Sequence, residues 1–183
     1  MSQGPEGDPL QGGRDPSLYR ANVGLAIFSR LGHVWIGRRA GLRKDDGRYA
    51  WQMPQGGIDR GETPSEAAFR ELSEETGLEP GHVEMLDEIE PWLFYDFPPE
   101  LKARLTGPYL GQRQKWFAFR FLGSDTDVRL DRHTVEFEAW KWTHLRDAPA
   151  RVIPFKAAVY AMVAGRFARW ASADTDDPEE PKP

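Results

Sequence analysis

One helical segment, residues 63–77 with the sequence TPSEAAFRELSEETG, constrains this chain more than any other feature. Thr63 is a favourable N-cap, Pro64 suits the first helical position, and Glu66 stands where a capping box requires an acid. The glycine that ends the segment is the residue type that closes helices in a left-handed conformation. The pattern therefore predicts a helix over residues 64–76.

This helix gathers negative charge on one face. Successive helical residues are about 100° apart, which places Glu71, Glu74 and Glu75 in a common arc beside a separate apolar face that includes Leu72. Like charges at this spacing repel, and Arg70 relieves only part of that repulsion. Two interpretations are open: a solvated helix face, or a site for a hard cation such as Mg²⁺, which prefers carboxylate oxygens.

The segment before the helix favours the cation site. Residues 54–64 read PQGGIDRGETP, with three glycines between Gly56 and Thr63. Glycine lets a backbone turn sharply and approach a ligand closely. The segment is not a Walker loop, because it has no GxxxxGK[ST] pattern. A glycine-rich loop that leads into an acidic helix suits a site where metal ions bridge phosphate oxygens.

The same residues stand at a spacing that resembles a Nudix box. Gly56 is followed after five residues by Glu62, and after seven more by a run from Arg70 to Leu78 that reads RELSEETGL. Every defining position of the box is matched. The resemblance implies an α/β/α sandwich with a mixed β-sheet. It also implies hydrolysis of a nucleoside diphosphate linked to another group, with Mg²⁺ or Mn²⁺ as the cofactor.

The resemblance further implies roles for the residues of the box. Glu71, Glu74 and Glu75 would hold the metal ions, and the carbonyl of Gly56 would be a further ligand. Arg70 would orient a glutamate rather than contact the substrate, in keeping with its helical spacing to Glu74.

Beyond the box, about residues 19–167 resemble one subgroup, the bacterial RNA 5′-pyrophosphohydrolases and the similar diadenosine polyphosphate hydrolases. Glu136 matches a glutamate that binds metal or acts as the base, and the sequence does not choose between Glu74 and Glu136 as that base. Gln114 matches a position with a structural or a substrate role. The positions associated with the RNA end are Arg20, Arg39, Tyr95, Ile153, Phe155 and Lys156.

The physical character of these substrate-side residues fits the resemblance. Arginine and lysine neutralise a polyphosphate, and an aromatic face stacks on a base. Phe155 is equally well explained as a core residue at the start of a helix, and Ile153 is expected to combine packing with some base contact. Ala21 in place of the usual proline, and a longer loop at residues 41–50, depart from the subgroup and leave substrate preference open.

Three functions follow as hypotheses. The first is removal of pyrophosphate from triphosphorylated RNA 5′ ends, which leaves a monophosphate and initiates mRNA decay. The second is asymmetric hydrolysis of diadenosine tetraphosphate or another dinucleoside polyphosphate. The third is a nucleotide-binding regulator without catalysis, whose usual sign would be a degraded box. The box here is intact, which favours an enzyme.

Composition argues against several other classes of protein. The formal net charge of −5 gives no support to general nucleic-acid binding, so we expect no DNA partner. The absence of cysteine excludes disulfide and zinc–thiolate chemistry. No stretch approaches about 18 apolar residues, so we expect no membrane partner and a cytoplasmic protein.

Local patterns predict the rest of the domain. Disordered arms are expected at residues 1–18 and 172–183, on either side of a hydrolase domain over 19–171. Alternation predicts that residues 136–143 form a strand with Phe137 on the opposite face from Trp140. The other predicted strands are 22–29, 33–39, 48–54 and 115–123, and a C-terminal amphipathic helix is predicted over about 154–170.

Overall fold

The computed structural model describes residues 13–41, 47, 49–105, 107–173 and 182. Within these residues eight strands form one sheet with the central order β3-β2-β1-β7-β5. The strands are β1 (Tyr19–Phe28), β2 (Val34–Arg39), β3 (Trp51–Gln52), β4 (Gln55–Gly57), β5 (Val83–Glu88), β6 (Leu93–Asp96), β7 (Gly111–Phe121) and β8 (Phe137–Thr143). The helices are α1 (Pro64–Thr76), α2 (Pro99–Lys102), α3 (Ala148–Arg151) and α4 (Ala157–Arg166).

The sheet is mixed, as the resemblance to the Nudix family implied. Strands β1 and β7 run parallel over ten paired residues, from Tyr19 opposite Gly111 to Phe28 opposite Arg120. The neighbouring pairs are antiparallel: β1 with β2 and β4, β7 with β5 and β6, and β2 with β3 and β8. The short β4 therefore lies along the first half of β1, directly before the loop that enters α1.

Helices cover both faces of the sheet, which confirms the α/β/α sandwich. Val23, Leu25 and Ile27 of β1 point towards α1 and share a buried cluster with Leu72. The alternate residues of β1 point to the opposite face, where α3 and α4 close a second cluster. Because both faces are buried, the middle of β1 reads as a continuous apolar run rather than an alternating one.

The predicted helix α1 is confirmed, with its caps. The Thr63 hydroxyl accepts a hydrogen bond from the Glu66 amide at 3.3 Å, and the Glu66 carboxylate accepts one from the Thr63 amide at 2.8 Å. Gly77 closes the helix with a φ of 72°, in the left-handed region that favours glycine.

Two predicted elements are wrong in detail. The helix expected over 154–170 is a 3₁₀ turn (Pro154–Lys156), then α4, then a second 3₁₀ turn (Ala168–Trp170), since three-residue spacing does not distinguish the two helix types. In β8 a bulge opposite Arg38/Arg39 brings Phe137 into the same core cluster as Trp140, so the predicted alternation fails there.

The ends of the chain and one loop are only partly described. Residues 1–12, 174–181 and 183 of the predicted arms, and residues 42–46 and 48 of the loop at 41–50, lie outside the described residues. Arg14 donates to Asp96 at 2.9 Å, and the backbone of Lys182 pairs with that of Trp140. Among the described helices, each is too short or too polar to cross a bilayer.

Candidate active site

The carboxylates of α1 lie directly against the backbone of β4. A methyl group on Gly56 would overlap the carboxyl group of Glu71, so any larger residue at this position would displace that side chain. The Gln55 amide donates to the Glu75 carboxylate at 2.9 Å. The glycine thus brings the strand backbone and two helix carboxylates together, a contact that the sequence did not predict.

Arg70 connects the acids of the loop and the helix. Its Nε and Nη2 donate to the two Glu62 carboxylate oxygens, each at 2.9 Å. Its Nη1 donates to Glu71 at 2.7 Å and to Glu74 at 3.0 Å, and its Nη2 also donates to the Gly57 carbonyl at 2.7 Å. The bond to Glu62 is the largest of several effects that raise the Arg70 pKa. Through these bonds Arg70 holds the acids in place, consistent with the orienting role predicted for it.

The acids that are shielded from water are poorly neutralised. Burial raises the pKa of Glu71, although Arg70 opposes that shift. Burial raises the pKa of Glu75 well above its ordinary value, and the neighbouring Glu71 charge adds to the effect. A raised carboxyl pKa means that negative charge is unfavourable there unless a cation is added. Glu74 differs from both, because its side chain is exposed.

Glu136 lies at the edge of the same site, immediately before β8. Its carboxylate stands 3.4 Å from the Nε of Arg39, and its backbone carbonyl accepts a hydrogen bond from the Ala40 amide at 2.8 Å. Its charge contributes to the raised pKa of Glu75, so the two carboxylates face a common region. The choice between Glu74 and Glu136 as the base stays open.

The donor set fits a divalent cation in its chemistry. It offers carboxylate oxygens whose charge is only partly compensated by Arg70 and Arg39, and carboxylate oxygens are the ligands that Mg²⁺ and Mn²⁺ prefer. As the side chains stand, no group of three acidic or histidine side chains in the described ranges converges closely enough to hold a metal ion, and Glu71 and Glu74 instead accept hydrogen bonds from Arg70. Metal binding by these residues therefore stays a prediction that requires the glutamates to turn.

A second group, which we call the basic–aromatic cluster, comprises Arg20, Arg39, Tyr95, Phe155 and Lys156. The Tyr95 and Phe155 ring centroids are 5.6 Å apart, and the Lys156 Nζ lies 5.8 Å from the Tyr95 ring. Burial raises the Tyr95 pKa, while the nearby charges of Arg20 and Arg39 oppose the shift. The structure thus brings together five of the six residues that the resemblance associated with the RNA end.

Arg20 and Lys156 connect this cluster to the acids. A methyl group on Gly57 would stand 2.5 Å from an Arg20 Nη2, so this guanidinium lies across the backbone of β4. Burial lowers the pKa of Lys156 to about 7, Arg39 acts in the same direction, and the charges of Glu75 and Glu136 oppose it. The cations of the basic–aromatic cluster and the carboxylates of the acidic site are therefore close enough to interact electrostatically.

Three of the site residues predicted from the sequence are half-buried or fully buried. Phe155 is half-buried and packs against the core below α4, and contact between its ring and a base stays a prediction. Ile153 is also half-buried against that core. Gln114 is fully buried: its amide nitrogen donates to Asn22 at 3.1 Å, and its carbonyl accepts from the Trp116 indole at 3.1 Å. This position favours a structural role for Gln114, and substrate contact by it stays a prediction.

Some residues of the site carry little signal in the sequence. The Tyr95 hydroxyl donates to Gln112 at 2.6 Å, and the Gln114 amide reaches Gln55 at 3.3 Å. Asn22 is notable only because the parallel register sets it opposite Gln114. The period-two spacing of Gln112 and Gln114 was the available sign that both face the same side of β7.

Comparison with known proteins identifies the family. Residues 18–163 match the NUDIX domain, and the chain belongs to the Nudix family. It is 51% identical over 157 residues to an RNA pyrophosphohydrolase of Acidiphilium cryptum, covering 85% of this chain and 94% of that protein. It is 44% identical over 162 residues to an RNA pyrophosphohydrolase of Brucella abortus, covering 84% and 90%.

Solved structures show the same fold at low sequence identity. The E. coli dihydroneopterin triphosphate pyrophosphohydrolase superposes with a TM-score of 0.60 at 19% identity, covering 81% of this chain and 99% of that one. A C. elegans Ap4A hydrolase superposes with a TM-score of 0.57 at 20% identity, covering 82% and 98%. Nudix hydrolases generally use divalent metal ions, which agrees with the buried Glu75 carboxyl group on α1, whose pKa is raised.

Proposed function

We propose that this Nudix enzyme removes pyrophosphate from the triphosphorylated 5′ end of RNA, leaves a 5′-monophosphate, and so initiates mRNA decay in the cytoplasm. The observation that carries the proposal is 44–51% identity, over more than four fifths of the chain, to proteins named RNA pyrophosphohydrolase. A basic–aromatic cluster next to shielded carboxylates supports it, because such a pair suits a polyphosphate joined to a base.

Glu71, Glu74, Glu75 and Glu136, with the Gly56 carbonyl, would hold Mg²⁺, or Mn²⁺ in its place. When bound, such a cation neutralises phosphate charge and acidifies water. Helix α1 presents three of these glutamates on one arc, and Arg70 donates hydrogen bonds to two of them, to Glu71 at 2.7 Å and to Glu74 at 3.0 Å. Arg70 is a positioning residue in this scheme, since its donors are already engaged.

The proton of the attacking water passes to a glutamate, either Glu74 or Glu136. Both side chains are partly open to solvent, with exposed fractions of 44% and 41%, so both are accessible to a substrate. Arg20, Arg39 and Lys156 would neutralise the polyphosphate oxygens. Tyr95 and Phe155 would pack against the first bases, since their rings meet at the edge of the same space.

Asymmetric hydrolysis of a dinucleoside polyphosphate is the second candidate, because the same cations and rings suit a nucleotide bound through several phosphates. The fold of the C. elegans Ap4A hydrolase is compatible with it. A regulator without catalysis is disfavoured by the intact acidic set on α1.

Hydrolysis of 5′-triphosphate RNA and of diadenosine tetraphosphate, at matched concentrations with Mg²⁺ and with product identification, tests the proposal. We expect pyrophosphate and monophosphorylated RNA as products, at a higher kcat/KM than for a mononucleoside triphosphate. Equal efficiency on the mononucleotide and the RNA would count against an RNA substrate. Glu74→Gln tests the role of that residue: loss of metal-dependent turnover is expected, and turnover that survives the substitution would exclude Glu74 as the base.

A further inference from the structure

Strand β8 lies at an edge of the sheet. Along one side it pairs with β2, from Phe137 to Thr143. Along its other side, one of the described residues pairs with it: Lys182 forms an antiparallel bridge with Trp140. An edge strand presents amide and carbonyl groups to which an extended segment of any chain can add. The outer side of β8 is therefore a surface on which a peptide can bind.

The backbone contact at this edge is confined to one residue of each strand. The Trp140 amide donates to the Lys182 carbonyl at 2.7 Å, and the Lys182 amide donates to the Trp140 carbonyl at 2.6 Å. In an antiparallel pair, the neighbours of a hydrogen-bonded residue direct their backbone groups away from the partner strand. Both neighbours of Lys182 are proline, which has no amide hydrogen to offer to a further strand.

The Lys182 side chain meets an acid and an aromatic ring. Its Nζ donates to one carboxylate oxygen of Asp125 and lies 5.4 Å from the centroid of a Trp140 ring, within cation–π range. The other carboxylate oxygen of Asp125 accepts a hydrogen bond from the Trp142 indole at 3.1 Å. Trp142 thus fixes the carboxylate, which together with the Trp140 ring forms a site for a lysine side chain.

Charge and chain length favour Lys182 as the occupant of this site. Residues 172–183 read SADTDDPEEPKP, with five acids and one lysine, and the acids would repel Asp125. Ser172 anchors the chain ten positions before Lys182, because its amide donates to the Gly32 carbonyl at 2.8 Å. A tether of this length keeps its occupant at an effective concentration on the order of millimolar.

We propose that the outer edge of β8, with Asp125 and Trp140, is a binding site for a short extended segment centred on a lysine, and that residues 181–183 of the same chain occupy it. Occupied in this way, the edge is closed to strand addition by other chains. The residues of this site are separate from those of the candidate active site, so the inference does not depend on the proposed RNA substrate.

Amide hydrogen exchange at Trp140, followed by NMR on the full chain, tests the contact. In Lys182→Glu the exchange should be about tenfold faster, because an exposed ion pair and a cation–π contact are lost. Asp125→Asn should accelerate it too, whereas Lys182→Arg, which keeps the cation, should not. Arg104→Glu makes the same change of charge at an exposed position after α2 and is the matched control.

A peptide with the sequence of residues 179–183, EEPKP, tests the site itself. In Lys182→Glu we expect this peptide to shift the NMR signal of the Trp142 indole N–H, because the added lysine contacts its partner Asp125. A control peptide, EEPEP, should leave the signal unchanged. In the unaltered protein the same shift should require an about tenfold higher peptide concentration, since the tethered segment competes for the site.

Three results would overturn the proposal. The first is equal exchange at Trp140 in Lys182→Glu and Arg104→Glu. The second is the absence of a response to EEPKP, or an equal response to the two peptides. The third is exchange that slows as the protein concentration rises, which would assign the bound segment to a second copy of the chain. Neither measurement uses turnover, so a failure of the proposed function would leave these results unaffected.

Discussion

The acidic region on α1 and β4 and the basic–aromatic cluster differ in how they are assembled. The acidic region comes largely from residues 55–75, one continuous segment in which helix caps and a glycine set the geometry. The cluster takes its residues from β1, β2, β6 and the turn before α4, which meet only in the folded sheet. We infer that the first region determines whether a phosphoanhydride is cleaved, and that the second determines which substrate presents it.

The largest expected effect comes from Gly56→Ala, which adds a methyl group where the Glu71 carboxylate lies. Because a misplacement of about 1 Å costs about 100-fold in rate, kcat should fall by about that factor on RNA and diadenosine tetraphosphate alike. Gly165→Ala is the matched control, since a methyl group there meets open space. A loss confined to one substrate would break the proposed division between the two regions.

Phe155→Ala should weaken RNA binding and leave metal binding unchanged. Loss of a base-packing ring costs about 1–3 kcal/mol, so kcat/KM for triphosphorylated RNA should fall about tenfold or more, mainly through KM. Stabilisation of the protein by Mn²⁺, measured as the shift in Tm, should persist, because the acids on α1 are unchanged. If Phe155→Ala also abolishes that Mn²⁺ shift, the two regions are not separable.

Glu75→Gln tests the electrostatics of the acidic region in the metal-free protein. The fold raises the pKa of Glu75 above its ordinary value of 4.5, so protonated Glu75 is favoured in the folded protein. The folding stability that this gives is fully present below pH 4.5 and is lost as the pH rises through the folded-state pKa. At pH 8 the variant should therefore be more stable than the unaltered protein, with Tm higher by about 2–4 °C for each kcal/mol gained.

Added metal should reverse the order of thermal stability of Glu75→Gln and the unaltered protein. Added Mn²⁺ stabilises whichever form binds it, so it should raise the Tm of the unaltered protein and have little effect on Glu75→Gln. Equal Mn²⁺ shifts in both would show that Glu75 is not a ligand. An unchanged pH profile of Tm would instead contradict the raised pKa.

The smallest expected effect is that of Tyr95→Phe, which removes the 2.6 Å hydrogen bond to Gln112 and keeps the ring. A single hydrogen bond contributes about 1 kcal/mol, so kcat/KM for RNA should fall about fivefold, with Mn²⁺ stabilisation unchanged. A loss as large as that of Phe155→Ala would assign the hydroxyl a direct contact with substrate.

Prediction from the sequence succeeded where the interactions are local. The capping box of α1 involves residues three apart, so Thr63 and Glu66 were sufficient to place its start. It failed where a distant strand decides the outcome, as with the bulge that turns Phe137 towards the core. Strands β5 and β6 were not predicted, because β5 in particular is exposed along much of its length and lacks a clear alternation.

In the candidate site, too, some features could be predicted from the sequence and others could not. Position in the family's motif indicated Arg70 as an orienting residue, and its five hydrogen bonds agree with that prediction. Sequence position did not show that Gln114 is fully buried, since burial of a polar side chain depends on partners from other strands.

The sequence by itself determined the helix of the box and the arc of its glutamates. These follow from backbone geometry over a few residues, which any fold containing the segment must respect. Only the tertiary structure decided that Arg20, Arg39, Tyr95 and Phe155 meet, and that Lys156 is buried beside them with a lowered pKa. Strand order and register set those distances, and a local pattern contains no measure of either.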